Sequence, residues 1–143
     1  MYVDDAYVKN NQSDIRVKNS IESLDERYEY LFESLQPVRY KYNKGTSNRY
    51  HTGFIAQQVV ESIEKAELTT KDFAAVVLNE PNTENECWFL RRDEFIALNT
   101  DQIQKLKPRV STLEQTILNY ESRISNLEIE IQNLKSTQNS DII

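Results

Sequence analysis

Glycine is nearly absent: the 143-residue chain has two. So little glycine argues against a turn-rich all-β sandwich or barrel and for a helix-rich or mixed chain. One cysteine, Cys87, excludes an intrachain disulfide. Its neighbours Trp88, Phe89 and Leu90 suggest a buried thiol acting as a small hydrophobe rather than a catalytic group. With one histidine and one cysteine, no His/Cys zinc cluster can be built within a chain. No Gly-rich phosphate loop is present, and no cofactor is expected. No apolar run approaches the length of a membrane span, so no membrane partner is expected. The net charge is -6 and Lys/Arg nowhere cluster. A nucleic-acid binder needs a basic stripe to neutralise phosphates, so that class is disfavoured.

What is present suggests one α+β domain of modest core, then something different. Residues 1–12 are polar and acidic, without the apolar centre of a signal peptide. They read as the tail of an upstream domain. From Ser13 to Lys18, Ile15 and Val17 alternate with Asp14, Arg16 and Lys18, which predicts a short strand. Asn19 and Glu22 resemble a capping box, so a helix is expected to start there. Its apolar face takes in Ile21, Leu24, Tyr28, Leu31, Phe32 and Leu35, and Pro37 ends it. Strands at 38–42 and 49–55 flank the turn chemistry of Asn43 to Asn48, giving a hairpin with a loop longer than two residues. A helix over Ala56 to Ala66 carries Val59, Val60 and Ile63. Further strands are expected at Phe73 to Leu78 and Cys87 to Leu90, around an acidic loop, Glu80 to Glu86. Asp93 is placed to cap a helix carrying Phe95, Ile96 and Leu98.

The last third of the chain has a seven-residue period. Ile103, Val110, Ile117, Ile124 and Ile131 occupy one heptad position, and Leu106, Leu113, Tyr120, Leu127 and Leu134 the position three later. In a chain that is 38% hydrophobic, chance gives such a run about once in ten thousand tries or less often. These are the a and d positions of a coiled coil. Ile or Val at a with Leu at d favours two strands. Arg123 to Glu128, however, resembles the Arg-h-x-x-h-Glu trimerisation motif, in which the guanidinium packs over the seam and pairs with a neighbouring chain's carboxylate. Pro108 lies at an outer position, where a kink or a new helix start is expected. The boundaries expected are thus an upstream tail at 1–12, a small helix/strand domain with a hairpin at 13–107, a long coiled-coil helix at 108–137, and a fraying tail at 138–143.

Four segments together resemble the chaperone-of-endosialidase family, the C-terminal intramolecular chaperone domain of phage tailspikes and tail fibres, related to a domain of the myelin regulatory factor family. They are Ser13-Asp14-Ile15-Arg16-Val17-Lys18, Leu35-Gln36-Pro37-Val38-Arg39-Tyr40, His51-Thr52-Gly53-Phe54-Ile55-Ala56-Gln57, and the closing helix from Phe95 to Leu106. Order and spacing carry the resemblance. Gln58 stands where the family usually has an acid, and 69–92 matches loosely. The resemblance implies a homotrimer that folds a β-rich fibre or spike domain of its own polypeptide in the host cytoplasm during virion assembly. It also implies release of the module by cutting the Gln12–Ser13 bond, with Ser13 as nucleophile and Lys18 as base.

A serine hydroxyl is a weak nucleophile until a base takes its proton. A free lysine titrates near pKa ~10.4, so burial or nearby positive charge must lower that value. Arg16 is a candidate source of such charge, unless Asp14 pairs with it. Ser13 and Lys18 are five residues apart, which puts them on opposite faces of a strand and out of line on a helix. Either the chain bends between them or Lys18 reaches Ser13 of a neighbouring chain. His51 and Gln57 are candidates for stabilising the oxyanion through their place in the third motif, and Gly53 for allowing close backbone approach. The competing reading is a non-catalytic trimeric assembly module in which Ser13 is inert.

Overall fold

The computed structural model describes residues 13–140 and 142. The order is a 3-10 turn (Ile15–Val17), α1 (Glu26–Ser34), β1 (Val38–Tyr40), β2 (His51–Gly53), α2 (Ala56–Lys65), β3 (Val76–Asn79), β4 (Cys87–Leu90) and α3 (Glu94–Ser140). The strands form two antiparallel pairs. β1 joins β2 with Val38 opposite Gly53, and β3 joins β4 with Val76 opposite Leu90. This is the mixed helix/strand architecture read from the sequence, with a second hairpin that was not anticipated. The 3-10 turn replaces the strand expected at Ser13 to Lys18.

The first helix starts later than expected. Ser20 has a φ of 49°, a left-handed conformation that interrupts any helix begun at Asn19. Asp25 caps α1 instead: its carboxylate accepts the Arg27 N–H at 3.0 Å. Ile21 therefore lies outside the helix and exposed, and Leu24 is only half-buried. At the other end the Leu35 N–H closes on the carbonyls of Leu31 and Phe32, and the helix stops short of Pro37.

α2 presents Ala56, Val59, Ser62 and Ile63 inward. Ser62 donates its hydroxyl proton toward the carbonyls of Ser34 and Gln58, each at 3.0 Å, which links α2 to the end of α1. The helix closes with a Schellman motif built without glycine. Glu67 takes φ 56°, its N–H reaches the Glu64 carbonyl, and the Leu68 N–H reaches that of Ile63. The turn from Thr69 to Asp72, held by two bonds to the Asp72 carboxylate, carries the buried Phe73 and Ala75 into the core before β3 begins at Val76. The strand expected from Phe73 is shorter for that reason. In β4 the burial alternates. Trp88 and Leu90 turn inward, and Cys87 and Phe89 face out, so Cys87 is exposed and not buried as its apolar neighbours suggested.

One core collects these pieces: Leu31 from α1, Val59 and Ile63 from α2, Phe73, Val76 from β3, and Phe95 and Leu98 from α3. Phe95 stacks on Phe54 with centroids 4.8 Å apart and meets Phe73 edge-on at 5.5 Å. α3 then runs on as one helix of 47 residues, about 70 Å long. It passes through Pro108 without a break. The proline was expected to kink the helix or start a new one, and the helix joins the two regions drawn as separate at that point. Beyond the proline, Arg109 makes an ion pair with Glu29 of α1 at 3.9 Å. Leu31 is 0% exposed, and Leu31→Ala is expected to cost about 2–5 kcal/mol of stability in urea unfolding, because the lost transfer energy adds to an unfilled cavity.

Candidate active site

Asp14 builds the bend that the spacing of Ser13 and Lys18 requires. Its carboxylate accepts the Arg16 backbone N–H at 2.8 Å, and the Arg16 guanidinium at 2.9 and 2.7 Å. The side chain thus starts the turn and clamps the residue two places on. The Val17 N–H reaches the Asp14 carbonyl, and the Lys18 N–H that of Ile15. After this turn Lys18 Nζ lies 2.7 Å from Ser13 Oγ, within one chain. Of the two routes open in the sequence, the bent chain is the one observed. Arg16 is committed to Asp14 and is not a free positive charge beside Lys18.

Electrostatics follow the geometry. The hydrogen bonds from the Arg16 side chain, then from its backbone, hold the Asp14 carboxyl below the usual carboxylate range, and Asp14 raises Arg16 in turn. Ser13 and Lys18 are exposed, and the turn packs on no other helix or strand among the described residues. Gln12, on the other side of the bond expected to be cut, lies outside the described residues.

The supporting residues lie elsewhere. His51 pairs across the hairpin with Tyr40, stacks on its ring at 5.8 Å and meets Tyr42 edge-on at 5.1 Å. Gly53 and Gln57 line a cleft of about 750 Å³ between the two hairpins and the start of α3. Phe54, Trp88, Leu90 and Phe95 supply much of its apolar wall, with Glu86 and Arg92 at its edge. Among the described residues no hydrogen bond or ring contact joins His51, Gly53 or Gln57 to Ser13 or Lys18. The sequence reading missed this cleft. Its signal was the alternation across Cys87 to Leu90, which sets the Trp88 ring on the inner face. Gln58, which replaces the family's acid, has a buried Oε1 without a hydrogen-bond partner.

The ten seam residues of α3, from Ile103 to Leu134, are all exposed, the least of them by 48%. Arg123 and Glu128 are exposed beside them. A stripe of this length is apolar surface without cover in the single chain.

Comparison with known proteins agrees with the motifs. Residues 13–68 match the model of a peptidase family described as chaperone of endosialidase. The family resemblance holds. The matched segment spans the Ser13 turn, both helices of the small domain and the first hairpin. The chain is also similar to "Depolymerase 1, capsule K3-specific" of Klebsiella phage KP32, 28% identical over 109 residues. That match takes in 71% of this chain and 12% of the depolymerase. A solved structure described as a novel intramolecular chaperone shares the fold, with a TM-score of 0.57 and 24% identity over 68% of this chain and 99% of that one.

The Asp14–Arg16 clamp is testable by itself. A carboxyl whose folded value is lowered contributes stability above its ordinary titration range and loses it as pH falls through the lowered value. An NMR titration is expected to give Asp14 a midpoint below that of an exposed aspartate. Arg16→Ala is expected to raise that midpoint toward the ordinary range, with the backbone N–H of residue 16 still holding it partly down, and to speed amide exchange at Val17 and Lys18.

Proposed function

We propose that this chain is a C-terminal intramolecular chaperone that trimerises through α3, holds three copies of an upstream phage tail fibre or tailspike domain in register while they fold, and then releases itself by cutting Gln12–Ser13. The 2.7 Å contact between Lys18 Nζ and Ser13 Oγ carries the catalytic part of this reading. The uncovered heptad stripe supports the assembly part, and Arg123 with Glu128 favours three strands over two. The likeness to a capsule depolymerase of a phage supports the upstream partner. The setting proposed is the host cytoplasm during virion assembly.

The chemistry balances with one water. Lys18, neutral, takes the proton of the Ser13 hydroxyl, and Oγ attacks the Gln12 carbonyl carbon. The tetrahedral intermediate collapses with the Gln12–Ser13 C–N bond broken and the proton delivered to the Ser13 nitrogen. This leaves an ester between Gln12 and Ser13 Oγ. Water hydrolyses the ester to a Gln12 carboxylate and a free Ser13 hydroxyl. Lysine must shed its proton for the first step. Cutting waits for packing around the arm, which couples release to assembly.

The energetic case is coherent. A thin β-fibre has high contact order and finds its register slowly. A coiled coil joins the chains early and raises their local concentration. Once the clamp is gone the fibre is held by its unfolding barrier. One observation favours the second reading, a non-catalytic assembly module: both dyad side chains face solvent, and among the described residues no oxyanion donor reaches them.

Intact mass under denaturing conditions separates the two. The proposed peptidase loses residues 1–12 when assembled, and Ser13→Ala and Lys18→Ala each stay whole. The rate rises with pH as lysine deprotonates. A chain that stays whole when fused to its upstream domain is the inert module. Sedimentation is expected to give three times the 16.8 kDa chain mass, and Ile117→Asn with Ile124→Asn to reduce it to one.

A further inference from the structure

Two features of the single chain are each incomplete. The arm before α1 exposes Ile15 by 73%, Val17 by 56% and Ile21 by 65%. Three apolar side chains in one short segment, held against no helix or strand, form a surface that gains from burial. The cleft between the hairpins is the complementary feature. It is walled by Phe54, Trp88, Leu90 and Phe95 and is open to solvent. Gly53 and Gln57, which the third motif offers as supporting residues, also line it.

The placement of α3 says which arm fills which cleft. Phe95 lines the cleft, and the next residue, Ile96, is 64% exposed. Ile96 stands one heptad before Ile103, so one line of the stripe continues up the helix beside the cleft, while the other gives way to Asn99. A second copy packed along that seam is delivered beside the opening. We infer that the arm of one protomer, Ser13 to Ile21, docks through Ile15 and Val17 into the cleft of a neighbouring protomer. The docked arm sets its own Ser13–Lys18 pair against the neighbour's Gly53 and Gln57. The site is then composite: nucleophile and base from one chain, the oxyanion side from the next.

This inference rests on the trimeric reading but not on cleavage, since Ser13 to Ile21 stay on this chain whether or not the preceding bond is cut. Cys87 provides the probe. It lines the cleft, is exposed, and is the only cysteine in the sequence. The full chain is prepared with Ile15→Cys, Val17→Cys or Ile21→Cys, each as equal mixtures of light and isotope-labelled protein, refolded together and oxidised mildly. The expected product is a disulfide between the arm cysteine and Cys87 that pairs light with heavy peptide. Its yield is unchanged on dilution, because both thiols are tethered in one assembly. Cys87→Ser is expected to abolish it, leaving only arm-to-arm disulfides. Light–light and heavy–heavy pairs alone mean that each arm folds onto its own cleft, which overturns the inference. No arm–Cys87 disulfide at any of the three positions in a chain that sediments as a trimer also overturns it, and leaves the trimeric reading standing. A monomer in sedimentation sinks both.

Discussion

The burial of Phe95 is the constraint on which the small domain depends. Its ring meets Phe54 just after the first hairpin and Phe73 just before the second, and with Leu98 it holds the start of α3 against the core. Few other points in so small a core join both hairpins to the long helix. Because one helix turn must present Phe95 inward and Ile96 outward, core and seam lie on neighbouring stripes of the same rod. The orientation of the domain relative to the rest of α3 is therefore set by helix geometry and not by a linker.

The lower half of the molecule was the more legible in the sequence. Heptad spacing is a property of the residues themselves, so Ile103 to Leu134 declared the long helix without tertiary information. α2 was readable for the same reason, and β4 was placed correctly by its neighbours. The misreadings fall where a short polar side chain overrides a pattern. Asp14 folds back on Arg16 and turns an alternating segment into a 3-10 turn. Ser20 adopts a left-handed conformation in the middle of a plausible capping box. Asp72 tightens a turn that delivers Phe73 and Ala75 to the core outside any strand. Such side-chain to backbone bonds compete with regular structure locally, and periodicity does not register them. Of the candidate site, the dyad was read from a motif. The bend that joins it followed only once the Asp14 clamp was visible, and the cleft needed two hairpins to be placed side by side.

Scarcity of glycine leaves a mark throughout. Neither Gly45 nor Gly53 has a positive φ, and the left-handed positions fall on Ser20, Asn48, Glu67, Glu80 and Asn82. A Cβ added at Gly53 would reach the Tyr40 ring at 3.4 Å, an ordinary contact. It would lie beside the aromatic group of Tyr40, Tyr42 and His51. Tyr50, on the same hairpin, is covered by Arg39 and Lys41, each 4.5 Å from its ring centre.

Pro108 gives α3 a mechanical character that its continuity hides. Proline has no N–H, so one rung of the hydrogen-bond ladder is missing beside the Arg109–Glu29 ion pair. A rod bends most easily where a rung is lost. The heptad stripe runs through this point, with Ile103 and Leu106 before the proline and Val110 after it, so a bend at Pro108 is a bend within the stripe itself.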